Sequence, residues 1–461
     1  MIRMRTFAAL VILLGILSGG SNAQESSSQN GDVLTLDQCI KLALENNSSL
    51  RNAERNYQIA GTSVATSRAA MLPRLDLSLS SGKEQVGERE LTRDTPVGFD
   101  STTNTTIYQR VKTIQPSSAS QSHGAQLSVS QSLFDFGANI NRLRQANASE
   151  EASRFSFEST RQNTILLVKE RYFGHLRNLR LLEVNQEAVK SAEEQLKRTE
   201  SMYEIGSVAQ GDVFRARTQF GNERISLINQ QNAVQNSRAL LNVALGRAAD
   251  APISIGDIEE VPDVKTYEMD EVVRVAGEKN PELQGLEKDK RSAQLGIHVA
   301  RTAYLPSFSI SAFYSRSNNE FNKVYTDFGK NWFGSLSLNM SMNLFNGFSD
   351  QANLERQQLT YRIADENAID RRRNLRLEVE QALLNLRAWK EITAINSDNL
   401  ISAQEDLRLA QERYRVGAGT LLDIINAQVN VTRSKTTLVQ AKYDSMIALA
   451  SLEAAMGVLQ P

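Results

Sequence analysis

The chain has 461 residues, with 52 basic against 53 acidic side chains and a formal net charge of −1. That balance excludes the basic footprint of a nucleic-acid-binding protein. The single cysteine, Cys39, excludes an intrachain disulfide, so the fold must hold by packing. Cys39 lies on an apolar helical stretch from Leu36 to Leu44 and is expected to be a small packed residue.

The N-terminus reads as an address. Arg3 and Arg5 precede an apolar run, Phe7 to Leu17, and Ser21-Asn22-Ala23 supplies small residues for cleavage. Residues 1–23 are therefore predicted to be a signal peptide, with Gln24 as the mature start. The run is short for a spanning helix, which needs roughly 18 apolar residues. No later segment is long and apolar enough either, so a membrane-embedded chain would enter as β-strands.

The remaining sequence is written twice. Asn47-Ser48-Ser49-Leu50 matches Asn280-Pro281-Glu282-Leu283, and Leu72-Pro73 matches Leu305-Pro306, at an offset of 233. From Leu133-Phe134-Asp135 and Leu344-Phe345-Asn346 onward the offset is 211, so the first copy holds 22 extra residues between Pro73 and Leu133. The reading is a first repeat over 24–247, a proline-bearing acidic linker over 248–269 and a second repeat over 270–461.

Each repeat has the same order. A short helix (Leu36–Glu45; Asp270–Lys279) precedes a second helix over Ser48–Met71 and Pro281–Tyr304. Leu50, Ala53, Tyr57, Ala60, Val64, Ser67 and Met71 form a heptad seam on it. Pro73 and Pro306 end these helices, and the apolar period drops to two. Leu75, Leu77 and Leu79, then Leu127, Val129 and Leu133, flank a polar loop and predict a hairpin over 74–134. The second hairpin is predicted over 307–345, its last strand running from Phe333 to Phe345. Alternate positions are Ser, Gln and Asn, which suits a barrel wall between lipid and water. Long helices follow over 137–203 and 348–414, the first of 67 residues or about 100 Å. Gly206 and Gly417 are placed to stop them as left-handed caps. Return helices are predicted over 211–246 and 422–457.

The expected fold is thus mainly α with a small β-barrel part, and four strands per chain. Four strands cannot close a barrel, and an open edge in lipid costs several kcal/mol per unsatisfied group, so the chain must oligomerise.

The doubled unit, the Leu-Phe-Asp/Asn entry to each long helix and the two tips resemble the TolC-like outer-membrane efflux protein family over essentially the whole mature chain. The tips read Tyr203-Glu-Ile-Gly206 to Asp212 and Tyr414-Arg-Val-Gly417 to Asp423. The resemblance implies a homotrimer with a twelve-strand barrel in the outer membrane and a periplasmic helical barrel. It also implies a periplasmic adaptor protein and an inner-membrane pump or ABC transporter as partners. Asp423 and Asn426 match the family's acidic entrance ring, of which only Asp423 is acidic here. Asp212 and Tyr414 match members of the polar links that hold the entrance closed. Gly419 stands where a basic member is expected, so such a lock would be rebuilt around Arg413 or Arg415. Gly206, Ser207, Val208 and Ala209, with Gly417, Ala418, Gly419 and Thr420, match the surfaces offered to the adaptor.

Other classes fit less well. His123, in the predicted polar loop, and His175 and His298, on helices, are scattered. No metal-ligand spacing, phosphate loop or nucleophile elbow accompanies them, so the chain is read as a non-enzyme with no cofactor and no metal. A periplasmic coiled-coil scaffold or adhesin would explain the heptads and leave the hairpins unexplained. Within the duct reading, small-molecule efflux and type I protein secretion both remain open.

Overall fold

The structure is a computed structural model that describes residues 33–256, 267–326 and 328–460. The expected signal peptide and residues 257–266 of the linker lie outside the described residues.

Helix α1 (Leu36–Asn46) opens with a capping box between Thr35 and Gln38. Helix α2 (Ser48–Ala69) follows, then strands β1 (Arg74–Val86), β2 (Arg89–Asp100), β3 (Thr105–Gln115) and β4 (Ser118–Phe134). The long α3 (Ala138–Glu204) and α4 (Gln210–Ala244) complete the first repeat. The second holds α5 (Met269–Lys279), α6 (Pro281–Arg301), β5 (Ser307–Asn318), the short α7 (Phe321–Val324), β6 (Trp332–Ser341), α8 (Ser349–Arg415) and α9 (Leu421–Ala455). Both long helices have 67 residues and start within one residue of the expected positions. Among the described residues no helix is long and apolar enough to cross a membrane.

The helices form a wall. Helix α3 packs on α2 and α4 to one side and on α6 and α9 to the other, and α8 packs on α6 and α9. Two shorter helices stacked end to end thus match one long helix. The joint between them is built identically in both repeats. Asn47 Oδ1 accepts from Ser49 N–H at 2.9 Å, capping α2, while its amide donates to Ala244 O at the end of α4. Asn280 caps α6 through Leu283 N–H at 3.1 Å and donates to Ala455 O at 3.2 Å. The asparagine amide supplies both, its oxygen accepting for the cap and its nitrogen donating across the joint. Gly246 and Gly457 seal it in the left-handed region, at φ +72° and +70°. A Cβ on Gly457 would lie 2.6 Å from Lys279 O.

The widest core sits at mid-height, where α1 brings Cys39, Ile40 and Ala43 against Ile165, Val168 and Tyr172 of α3. Cys39 is fully buried, and burial pushes its thiol up to about 11, so it is a packing residue. The start of the linker joins this core: Leu34 pairs with Ile255, and Tyr172 Oη donates to Gly256 O at 2.7 Å.

The sheet corrects the sequence reading in two places. Four strands make one antiparallel sheet, in the order β1-β4-β5-β6, with β1 and β6 at its edges. The extra residues of the first copy, expected as a polar loop, form a second sheet, β2-β3. Its Thr, Val, Ile and Tyr residues favour extended backbone. Cross-strand pairs Arg110–Asp94 and Lys112–Glu90 fix it. Asp100 closes its turn by accepting from Thr102 N–H and the Thr103 hydroxyl. His123 accordingly lies in β4, not in a loop. The last strand stops at Ser341 instead of Phe345, because its partner β5 begins at Ser307, opposite Ser341.

Candidate functional site at the helix tips

The turns after α3 and α8 are superimposable in chemistry. Ser207 N–H donates to Met202 O and Ala418 N–H to Arg413 O, both at 2.8 Å, around Gly206 and Gly417 at φ +75° and +77°. These are the Schellman closures that the glycines led one to expect. The two turns meet: Leu196, Val213 and Ala216 pack against Leu421, with Tyr414 and Ile425 alongside. Beyond this cluster Ile205 and Val416 project at 79% and 70% exposure. Gly206, Ser207, Ala209, Gly417, Ala418 and Thr420 are exposed, and Val208 and Gly419 half-buried. A crevice of about 130 Å³ separates the hairpins above the tips, lined by Gln195, Arg198, Glu223, Gln411 and Gln428 among others. Burial pushes the Glu223 carboxyl up, against a hydrogen bond from Gln219 Nε2 at 2.6 Å.

Asp423 is exposed and caps α9. Its Oδ2 accepts from Thr420 N–H and the Thr420 hydroxyl, each at 2.8 Å, and Thr420 Oγ1 accepts from Asp423 N–H at 3.3 Å. The Thr420 backbone bond, then its hydroxyl, hold the carboxyl below the usual range, so it is ionised at neutral pH. Asn426, one turn on, is exposed.

Asp212 and Tyr414, each expected among the links that hold the entrance closed, have other partners within one chain. Asp212 lies 3.5 Å from Arg215 on its own helix. Tyr414 does cross to the first tip, where its hydroxyl meets Met202 Sδ at 3.8 Å. Arg413 and Arg415 pair with Asp406 and Glu412 on α8, so neither rebuilds a lock across the tips within one chain. Gly419 has a steric reason for being glycine: a Cβ there would sit 3.2 Å from Arg413 Cβ and Tyr414 N.

At the other end of the molecule the sheet has two chemically distinct faces. Leu77, Leu127 and Tyr314 share one row by register, and Leu75, Val129, Ala312 and Leu336 the next. The opposite face carries Ser78, Gln126 and Ser315, then Asp76, Ser128, Phe313 and Ser335. In the sequence, Asn47 and Asn280 stand out only as repeat landmarks 233 residues apart, and Gly246 and Gly457, 211 apart, only as the ends of the predicted return helices; that they meet at one joint is visible only in the packing.

A family model described as outer membrane efflux protein matches residues 39–247 and 272–458. The chain is 23% identical over 430 residues to the probable efflux pump outer membrane protein TtgC of Pseudomonas putida, covering 92% of this chain and 82% of that one. It is 24% identical over 436 residues to the alkaline protease secretion protein AprF of Pseudomonas aeruginosa, covering 91% and 83%. Its fold is similar to that of the Campylobacter jejuni CmeC outer membrane channel, with a TM-score of 0.76 at 17% identity over 92% of this chain and 85% of that one.

Proposed function

The chain belongs to the outer membrane efflux protein family, and on that premise we propose how its duct is assembled, gated and used. The protein is an outer-membrane exit duct with its helical barrel in the periplasm. Channels of this family are trimeric and work with efflux-pump partners. For this chain the proposed assembly is a homotrimer that meets a periplasmic adaptor and an inner-membrane pump or ABC transporter.

One observation supports the assembly most directly. The sheet and the helical wall are open along the same two sides, β1 with α2 and α4, and β6 with α8. Three copies joined along those sides give twelve strands, with the face rich in Ser, Gln and Asn, which also carries Asp76, Phe313 and Phe333, turned to the lumen. The adaptor is proposed to seat on the projecting Ile205 and Val416 and on the glycine turns around them. Asp423 and Asn426 are proposed to ring the entrance.

Small molecules are the proposed cargo, carried without chemistry, as the TtgC likeness supports. The AprF likeness, at a comparable identity, supports protein export as the second reading. Deleting the gene and restoring it on a plasmid tests both. Small-molecule efflux predicts that the deletion strain accumulates a fluorescent amphipathic dye and that complementation reverses this. Unchanged dye levels, with a protein lost from the culture medium, would sink the efflux reading in favour of secretion.

A further inference from the structure

The outer face of the sheet holds a buried arginine, a side chain that does not belong in lipid. Arg316 lies in register with Ala125 and Trp332, and Ala125 with Leu79, so its side chain is on the face of Leu77, Leu127 and Tyr314. Counting from Phe308, which sits near Phe134 at the helical end of the same face, Arg316 is the ninth residue of β5. A tilted strand crosses the hydrocarbon in about 9–11 residues. Arg316 therefore marks the outer margin of the apolar band, where Tyr314 stacks on Trp332 at 6.0 Å.

Arg316 is only 4% exposed, and what covers it is the chain's own β5–β6 connection. Its Nη2 donates to Thr326 O at 2.6 Å and to Lys323 O at 3.2 Å, and its guanidinium lies 4.7 Å from the Phe328 ring centroid. His123, one row further out on the same face, meets the Phe321 ring edge-on at 5.5 Å. The connection is thus folded back over the outside of the sheet, with α7 against β4 and β5. Phe321, Tyr325, Phe328 and Trp332 remain exposed on it.

We propose that the β5–β6 connection is a membrane-surface anchor, which Arg316 and His123 clamp to the outer wall of the barrel so that its aromatic side chains enter the headgroup layer of the outer leaflet. Lipid is the occupant because this patch continues the apolar band on its outer side, whereas neighbouring subunits join along β1 and β6. Amphipathic aromatic rings are the side chains that membrane interfaces favour. The inference rests on the outer-membrane reading, and the following test separates the two.

The chain has two tryptophans, Trp332 and Trp389. The full-length protein carrying W332F, W389F and F328W is reconstituted in vesicles of phosphatidylcholine brominated at shallow acyl carbons. Tryptophan keeps the cation–π contact to Arg316. The lone tryptophan at position 328 is expected to be quenched at least about twofold by the bromolipid. W389F alone reports Trp332 and should also be quenched. F313W in the double-phenylalanine background faces the lumen and should respond to aqueous acrylamide instead. Quenching of Trp332 without quenching at position 328 would overturn the anchor and leave the barrel standing. If Trp332 also escapes the bromolipid, the assignment of the outer face fails and the anchor fails with it.

Discussion

His175 shows what a single side chain contributes to this wall. It is buried on α3, and its Nδ1 shares a hydrogen bond with Ser237 Oγ of α4 at 2.8 Å. Burial, with Arg238 nearby, pushes its pKa down to about 4 from an ordinary 6.5. The unfolded chain therefore binds a proton that the folded chain refuses, so stability is complete above about pH 6.5 and falls as the pH drops towards 4. At 1.36 kcal/mol per pKa unit the loss over that window is about 3 kcal/mol. Denaturant titration in detergent should show the native chain weakening between pH 7 and pH 5, and His175→Gln weakening much less. Equal slopes for the two proteins would show that the imidazole does not govern acid stability. The histidine itself was visible in the sequence. Its burial was not, because helical periodicity identifies a face and cannot say that Ser237, 62 residues away, closes it.

At the scale of elements, the sequence was legible wherever one periodicity sufficed. The seam positions Leu50, Ala53, Tyr57, Ala60, Val64 and Ser67 are all buried or half-buried on α2, whereas Met71 lies beyond its end and is exposed. Both long helices and both glycine caps stand where they were expected. The β2-β3 ribbon was missed because it lacks an apolar alternation and is fixed by cross-strand charge pairs, which appear only once the register is known. The tip was half legible. Asp212 and Tyr414 were legible as members of the tip, but their partners depend on how the hairpins meet, and there Tyr414 meets Met202. Asp423 carries two readings, an entrance charge and a cap on α9, and a substitution can divide them. Asp423→Asn keeps an acceptor for Thr420 N–H and removes the charge. If three Asp423 carboxylates ring the entrance, the variant should weaken block by multivalent cations in a planar bilayer several-fold, with unchanged helical content. A ring of carboxylates concentrates cations in this way. Block identical to that of the native channel would leave Asp423 with its cap alone.

At the scale of the whole molecule, the number of copies follows from what the duct must pass. Two chains would close eight strands, a barrel whose interior is just filled by side chains, whereas twelve leave an open lumen. Four helical layers per chain, spaced 8–10 Å, then close a ring about 30–38 Å across. Such a ring is a head-to-tail assembly, in which one side of each chain meets the opposite side of the next. The exposed apolar residues lie where that contact requires them: Ile225, Ile228, Leu240 and Val243 on α4, and Leu359, Ile363, Leu377 and Leu384 on α8. Leu383 and Leu384 are adjacent in sequence and opposite in role. Leu383 is 1% exposed in the core with α5, and Leu384 is 54% exposed on the far side of α8. Charges at Ile363 and Leu384 should therefore spare the fold and break the ring. The I363D/L384D protein is expected to run as a monomer by light scattering in mild detergent, with native helical circular dichroism. Leu383→Asp should instead lose helical signal, because an unpaired carboxylate in that core costs several kcal/mol. A double variant that remains trimeric, with unchanged heat dissociation, would show that α8 does not form the subunit boundary.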